Sequence, residues 1–367
     1  MKRKYIPMLY LFMGLITGAC EQHYNMLTQI NPDGSCLRQL SIITRDSVFL
    51  AGDTSHNPFP FQLTPQWQLE VYDTATATFS AWPRLHWTPV KNNPSLRVTA
   101  TQHFSSVEEL NHKFRFDHSP WQNIKPEITL KKSFRWFYTY YSFSENYPQQ
   151  PARDLPVPLS QYLTPKEQKQ WFQGDFSSYQ GMNGSEIYDY LNLIQDKVYT
   201  WTNHCIYLLK YTVIQDFFAS QTINPFIQRM NQAQDSIFNL NKSTQDFLTD
   251  DFASVLDQYF QTSFFSTQYH QYESTLDSLT EAKLQVLKIF EPQIKYGLRL
   301  PGKVISTNAS YVTNDILFWK IDAFRFLPAD YTLYAHSRQL NLWSLFLTLI
   351  LTGGILYYLL HPRKRRK

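Results

Sequence analysis

An uncharged run of 19 residues, Leu342 to Leu360, is closed by His361-Pro362-Arg363-Lys364-Arg365-Arg366-Lys367, and no other feature restricts the fold of this chain as much. At a rise of about 1.5 Å per residue, such a run coiled as a helix covers a hydrocarbon core of about 30 Å. It reads as a single transmembrane helix, with Trp343 and Tyr357-Tyr358 placed to anchor at the interfaces. Clustered Lys and Arg mark the cytoplasmic end of a span, so the reading puts 361–367 in the cytoplasm and everything before the helix outside it.

The other end points the same way. Met1-Lys2-Arg3-Lys4 leads into an apolar run from Tyr5 to Ile16 and then Thr17-Gly18-Ala19-Cys20, the basic, apolar and small-residue regions of a secretory signal. Gly18-Ala19-Cys20 resembles the lipobox of bacterial lipoproteins, with Thr17 where that pattern usually has Leu. The resemblance implies that residues 1–19 are removed and that Cys20 becomes the lipidated first residue. The alternative is ordinary cleavage nearby, leaving Cys20 a plain thiol. A lipid anchor and the helix agree on sidedness, with the bulk of the chain on the periplasmic side of a bacterial inner membrane.

Between the ends the chain is written for water. Eight of the 34 basic residues and none of the 30 acidic ones lie in the two membrane segments, so residues 21–340 carry a formal charge of −4 and the overall +4 misleads. No basic face suits nucleic acid. Aromatics make up 16% of the residues, enough to build a substantial core. Only Cys36 and Cys205 follow Cys20, and the sequence leaves open whether they are bridged or free.

Residues 20–155 read as β-rich. The turn signal Asn31-Pro32-Asp33-Gly34 precedes a strand over Cys36–Ile43, Trp67–Tyr72 alternates with a period of two, and Leu96–Thr101 and Glu127–Phe143 follow as strands. Ser105 to Leu110 reads as a short helix capped by Ser105 with Glu108 reaching back. From about 156 to 291 the pattern turns helical. Thr164-Pro165-Lys166-Glu167 spells a capping box, and helical spacing covers Ser185–Ser220, Pro225–Leu240, Thr244–Gln261 and Thr267–Phe290. Residues 292–340 return to strands at Lys303–Thr307, Ile316–Ile321 and Ala323–Leu327. The expected architecture is α+β, an antiparallel β-rich domain interrupted by an all-helical insertion, with the last strands pairing with the first and 342–360 as the membrane span.

The stretch Leu300-Pro301-Gly302-Lys303-Val304-Ile305-Ser306-Thr307-Asn308-Ala309, followed by Ile316-Leu317-Phe318-Trp319-Lys320-Ile321, resembles the signature of the LppM-like family of membrane-anchored bacterial lipoproteins. Asp33-Gly34-Ser35, Phe104 to Leu110, Cys20 and the C-terminal span occur in similar order, over about a third of the chain. The resemblance implies an α+β extracytoplasmic domain and a lipid-associated or envelope role. The helical block departs from the compact family pattern. Read from the residues alone, Pro301-Gly302 makes a tight turn, Asn308 either takes left-handed geometry or bonds its own backbone, and Trp319 fills a core.

Catalytic patterns are sparse. His204 and Cys205 are adjacent on a helix and point about 100° apart, so they do not pair as base and nucleophile. His112, Asp117 and His118 lack the spacing of a zinc site, and Asp246, Asp250 and Asp251 suit a solvated face better than paired acid and base work. With 11 glycines there is no phosphate-cradling loop and no nucleophile elbow. The expectation is a non-enzymatic envelope lipoprotein without catalytic residues, metal or cofactor, binding lipid or a protein partner. The aromatic strand Phe134–Tyr141 is a candidate wall for an acyl chain. The alternative is an envelope enzyme with dispersed groups such as His204 and His270; a eukaryotic type I membrane protein is a weaker third reading.

Overall fold

A computed structural model of the chain describes residues 22–74, 76–83, 96–150, 155–220, 226–242, 246–247 and 251–360. The chain folds as α+β and divides into two compact units, one from His23–Pro148, Gln293–Ile321 and Tyr331–Lys367, the other from Gln149–Pro292 and Asp322–Asp330 together with the N-terminal residues.

The first unit is built from twelve strands. An eight-stranded sheet contains β1 (Gln22–Ile30), β2 (Cys36–Thr44), β3 (Gln68–Asp73), β4 (Thr78–Ala81), β5 (Leu96–Phe104), β8 (Pro292–Arg299), β10 (Tyr311–Thr313) and β11 (Ile316–Asp322), in the order β10-β11-β8-β1-β2-β5-β3-β4. A four-stranded sheet contains β6 (Glu127–Arg135), β7 (Tyr138–Tyr147), β9 (Lys303–Thr307) and β12 (Tyr331–Leu340), in the order β6-β7-β12-β9. Late strands therefore pair with early ones, β8 beside β1 and β12 antiparallel to β7. The period of two decides which side chains go inside. Cys36, Arg38, Leu40 and Ile42 are buried on β2, and Thr139, Tyr141, Phe143, Glu145 and Tyr147 on β7, while their neighbours lie at or near the surface.

Two residues of the Leu300–Ala309 stretch hold the sheets in place. Gly302 has φ +75°, and a Cβ there would collide with the Arg338 carbonyl, so the turn into β9 needs glycine. Asn308 accepts from Tyr334 N at 2.9 Å and Trp319 Nε1 at 3.1 Å and donates to the Thr332 carbonyl at 2.7 Å. It braces neighbouring backbone rather than its own. Trp319 is buried.

Four sequence expectations shift. The helix Val107–Lys113 is capped one residue later, by Ser106 accepting from Glu109 N at 3.1 Å, and it is Glu109 that reaches back, to Ser105. Residues 323–327 are not a strand but a 3-10 turn at Ala323–Phe326, where Phe324 stacks on Phe172 and Phe290 in the helical unit. The helix expected from Thr244 begins at Phe252, after Asp251. The helix expected over Thr267–Phe290 breaks into Phe264–Gln271, Glu273–Leu284 and a 3-10 segment, Gln285–Phe290. Strands β1, β4, β8, β10 and β12 had no counterpart in the sequence reading.

In the second unit the capping box forms as written, Thr164 and Glu167 each bonding the other's backbone. The long helix Gly184–Ser220, capped by Asn183, packs Tyr207, Tyr211, Ile214 and Phe218 against Phe226–Asn241 and Phe252–Phe260, with the Tyr211 hydroxyl donating to the Met230 carbonyl.

β12 leads into the helix Leu342–Leu360 through Asn341 alone. That helix is long and apolar enough to cross a membrane, and only 6% of its apolar window is buried.

Candidate functional site

The inward faces of the two sheets meet around Arg38. Its Nη2 lies 2.7 Å from Glu145 Oε2, both side chains are fully buried, and its Nε donates to Thr28 Oγ1 at 3.1 Å. Tyr296 donates to Glu145 at 2.9 Å and Tyr147 donates to the other carboxylate oxygen at 2.8 Å, while the Phe114 ring lies 4.6 Å from the guanidinium. Burial alone would pull the Arg38 guanidinium down, but the Glu145 carboxylate beside it holds it above its usual value. Burial, and then the Glu145 charge, push both tyrosines well above theirs. The Arg38 Nη1 has no hydrogen-bond partner among the described residues. Sealed from solvent, this network ties one sheet to the other. The sequence hid it, because an Arg in a strand of mixed polarity is expected to point outward.

The outward face of the eight-stranded sheet is concave, with a groove of about 510 Å³. Its floor is amide and hydroxyl: Asn25 on β1, Gln39 and Ser41 on β2, Thr99 on β5. At one edge the Arg97 guanidinium lies 5.8 Å from the Tyr72 ring, which packs on Phe79 at 4.8 Å. At the other, Lys295 Nζ lies 5.0 Å from Phe318 and 5.9 Å from Tyr311, the two rings stacked at 5.0 Å. Gly297 lets that wall close, since a Cβ there would sit 3.1–3.2 Å from Ile316, Leu27 and Phe318. No carboxylate lines the groove among the described residues. Two cations held over aromatic faces, about a polar floor, can receive an anionic group that also presents hydroxyls and apolar surface. Each of these residues is an outward position of a strand; the sequence lacks only the strand order that gathers them.

The residues singled out from sequence do not converge. Cys20 and Asp250 lie outside the described residues. His204 stacks on Phe238 at 4.0 Å, its Nδ1 sits 2.9 Å from the Tyr162 hydroxyl, and burial lowers its pKa. Burial pushes the thiols up, Cys205 to about 12 and Cys36 to about 11, and both are free. His270 is exposed on its short helix. Asp117 accepts from Gln62 N at 2.7 Å, and Asp251 caps a helix through Ala253 N at 3.1 Å. His112 closes the last turn of Val107–Lys113, and the His118 amide donates to the Pro60 carbonyl. No group of three or more His, Cys, Asp or Glu is placed to hold a metal among the described residues. The aromatic strand Phe134–Tyr141 divides between core and surface. Tyr141 points into the core, whereas Phe134, Trp136 and Phe137 are exposed.

No family profile and no curated protein sequence matches the chain. Among solved structures it is similar to the folded domain of the LppM protein of Mycobacterium tuberculosis, determined by NMR, at 8% identity and a TM-score of 0.28, over 88% of this chain and 91% of that one.

Proposed function

We propose that this chain is a membrane-anchored extracytoplasmic lipoprotein, lipidated at Cys20, and that its β unit is a non-enzymatic binding module that takes the anionic headgroup of an envelope lipid on the outer face of the eight-stranded sheet. The carrying observation is the pair of cation and aromatic clusters, Arg97 with Tyr72 and Lys295 with Phe318, on opposite sides of a polar floor. Each cation has lost part of its hydration to a ring face, and an anion between them meets two charges without an opposing carboxylate. The buried thiols and the enclosed His204 supply no activated nucleophile, which supports a binding role over catalysis.

The test is titration of the full-length chain in a non-ionic detergent with short-chain phosphatidylglycerol and phosphatidylcholine. Saturable binding of the anionic lipid is expected, weakened about tenfold, or about 1.4 kcal/mol, by Arg97→Gln or Lys295→Gln. Equal affinity for the two lipids, unchanged in both variants, would refute the assignment.

A further inference from the structure

The connection between β6 and β7 is two residues long, and those residues are Trp136 and Phe137. Two-residue hairpin loops favour Asn, Asp and Gly, because the strand twist asks for positive φ. This chain follows that rule at the β10–β11 turn, where Asn314 and Asp315 have φ of 50° and 60°. At the β6–β7 tip it instead exposes two large aromatics, with Phe134 beside them at 55% exposure.

The tip is locked to the C-terminal helix. Trp136 Nε1 donates to Thr348 Oγ1 at 2.8 Å, and Trp343 stacks on Phe134 and meets Trp136 edge-on, each pair at 5.8 Å. Asn341 donates through its amide to the Phe137 carbonyl at 2.9 Å and through Nδ2 to the Trp136 carbonyl at 3.0 Å, and accepts from Thr139 Oγ1 at 2.9 Å.

Length then decides where the tip sits. The 19-residue helix is about 28 Å long against a hydrocarbon core of about 30 Å, so it has no residues to spare. The tip runs alongside it as far as Thr348. If the tip stayed outside the bilayer, only Leu349–Leu360, about 18 Å of helix, would remain to cross, and His361-Pro362 and five basic residues follow. A helix that spans therefore carries the tip in with it.

Charge agrees. The outer face of the small sheet next to the tip holds Arg135 over Tyr140 at 5.3 Å and Arg338 over Tyr138 at 4.9 Å, with Lys303 opposite Arg338 in register. From Lys131 to Ser142, Lys303 to Thr307 and Ala335 to Leu360 the sequence has no Asp or Glu.

We infer that the β6–β7 hairpin is a second membrane contact: Trp136, Phe137 and Phe134 are immersed in the leaflet nearest the β unit, and Arg135, Arg338 and Lys303 meet the phosphates of its lipid headgroups. This rests on the reading of Leu342–Leu360 as a span and is independent of the groove.

The full-length chain in nanodiscs of mixed phosphatidylcholine and phosphatidylglycerol tests it, with an environment-sensitive fluorophore on a cysteine introduced at Phe137, at Val312 as an exposed control, or at Leu351 as a span control. Label on the parent chain is subtracted. At Phe137 a blue-shifted emission is expected, quenched several-fold more by shallow nitroxide lipids than by aqueous iodide, and at Val312 the reverse. Iodide quenching at Phe137 with lipid quenching at Leu351 overturns the hairpin and leaves the span intact; iodide quenching at Leu351 overturns the span itself. Protection of Phe137 from both quenchers identifies a protein partner on the tip and also overturns the inference. Arg135→Gln with Arg338→Gln is expected to lower the phosphatidylglycerol retained per chain at least twofold while Phe137 stays immersed; unchanged retention removes the headgroup contact.

Discussion

At Arg38 a single side chain joins two sheets, and its energetics are asymmetric. Removing one member of a buried ion pair strands the other charge, at a cost of about 3–5 kcal/mol, whereas replacing both with apolar residues of similar volume is often neutral. Glu145→Ala is therefore expected to lower the urea midpoint of the β unit far more than Arg38→Met with Glu145→Leu; similar losses in the two would mean that the pair itself, not the orphaned charge, carries the stability. The two native thiols should resist alkylation at pH 8 until the chain is denatured, because burial holds Cys36 at about 11 and Cys205 at about 12. Rapid labelling of folded protein would contradict that burial. At the surface, Lys113 and then Ser105 bond the Glu109 carboxylate and lower it to about 2. A group depressed on folding stabilises above its ordinary value near 4.5 and loses that contribution as pH falls through the folded value, so the cap of Val107–Lys113 should weaken between about 4.5 and 2. A carbon-13 titration of Glu109 with its midpoint at 4.5 would disprove the cap.

Among the elements, those with a local cause were legible and those with a distant one were not. Thr164 and Glu167 satisfy each other within one turn, so four letters sufficed. The alternation over β5 and the helical spacing over Gly184–Ser220 likewise need no partner to be read. Strand β12 escaped, because Tyr331–Leu340 reads as a strand only beside β7 and β9, whose positions in the fold depend on the whole chain. The 323–327 error has the same origin, since Phe324 is apolar for stacking in the helical unit, and Phe326 for burial, not for a sheet. Asn308 shows how strongly such tertiary bonds count. Asn308→Ala leaves the Trp319 indole and the Tyr334 amide without their acceptor, an expected loss of about 1–3 kcal/mol visible as a lower Tm; an unchanged Tm would mean water replaces it.

For the whole molecule, the two ends make a joint prediction. With a lipid on Cys20 and a span at Leu342–Leu360, either attachment holds the chain alone, because a diacylated cysteine and a transmembrane helix each anchor a protein stably. Cys20→Ser is expected to stay in the membrane fraction, as is a chain with charged residues placed through the span, while the combination is released; release by one change would show that the other anchor does not exist. The groove was the least legible feature, since Arg97 and Lys295 are nearly 200 positions apart in sequence and meet only through the strand order. One-residue coupling between β12 and the helix leaves the β unit no leash. A domain on a flexible stalk sweeps a volume and can catch what drifts past, but one fused through Asn341 to a helix that spans a bilayer moves only as that helix moves, sideways in the plane of the membrane. If Leu342–Leu360 spans a bilayer, a ligand of the proposed groove is met at the membrane surface, and any tilt of the helix becomes a tilt of the sheet.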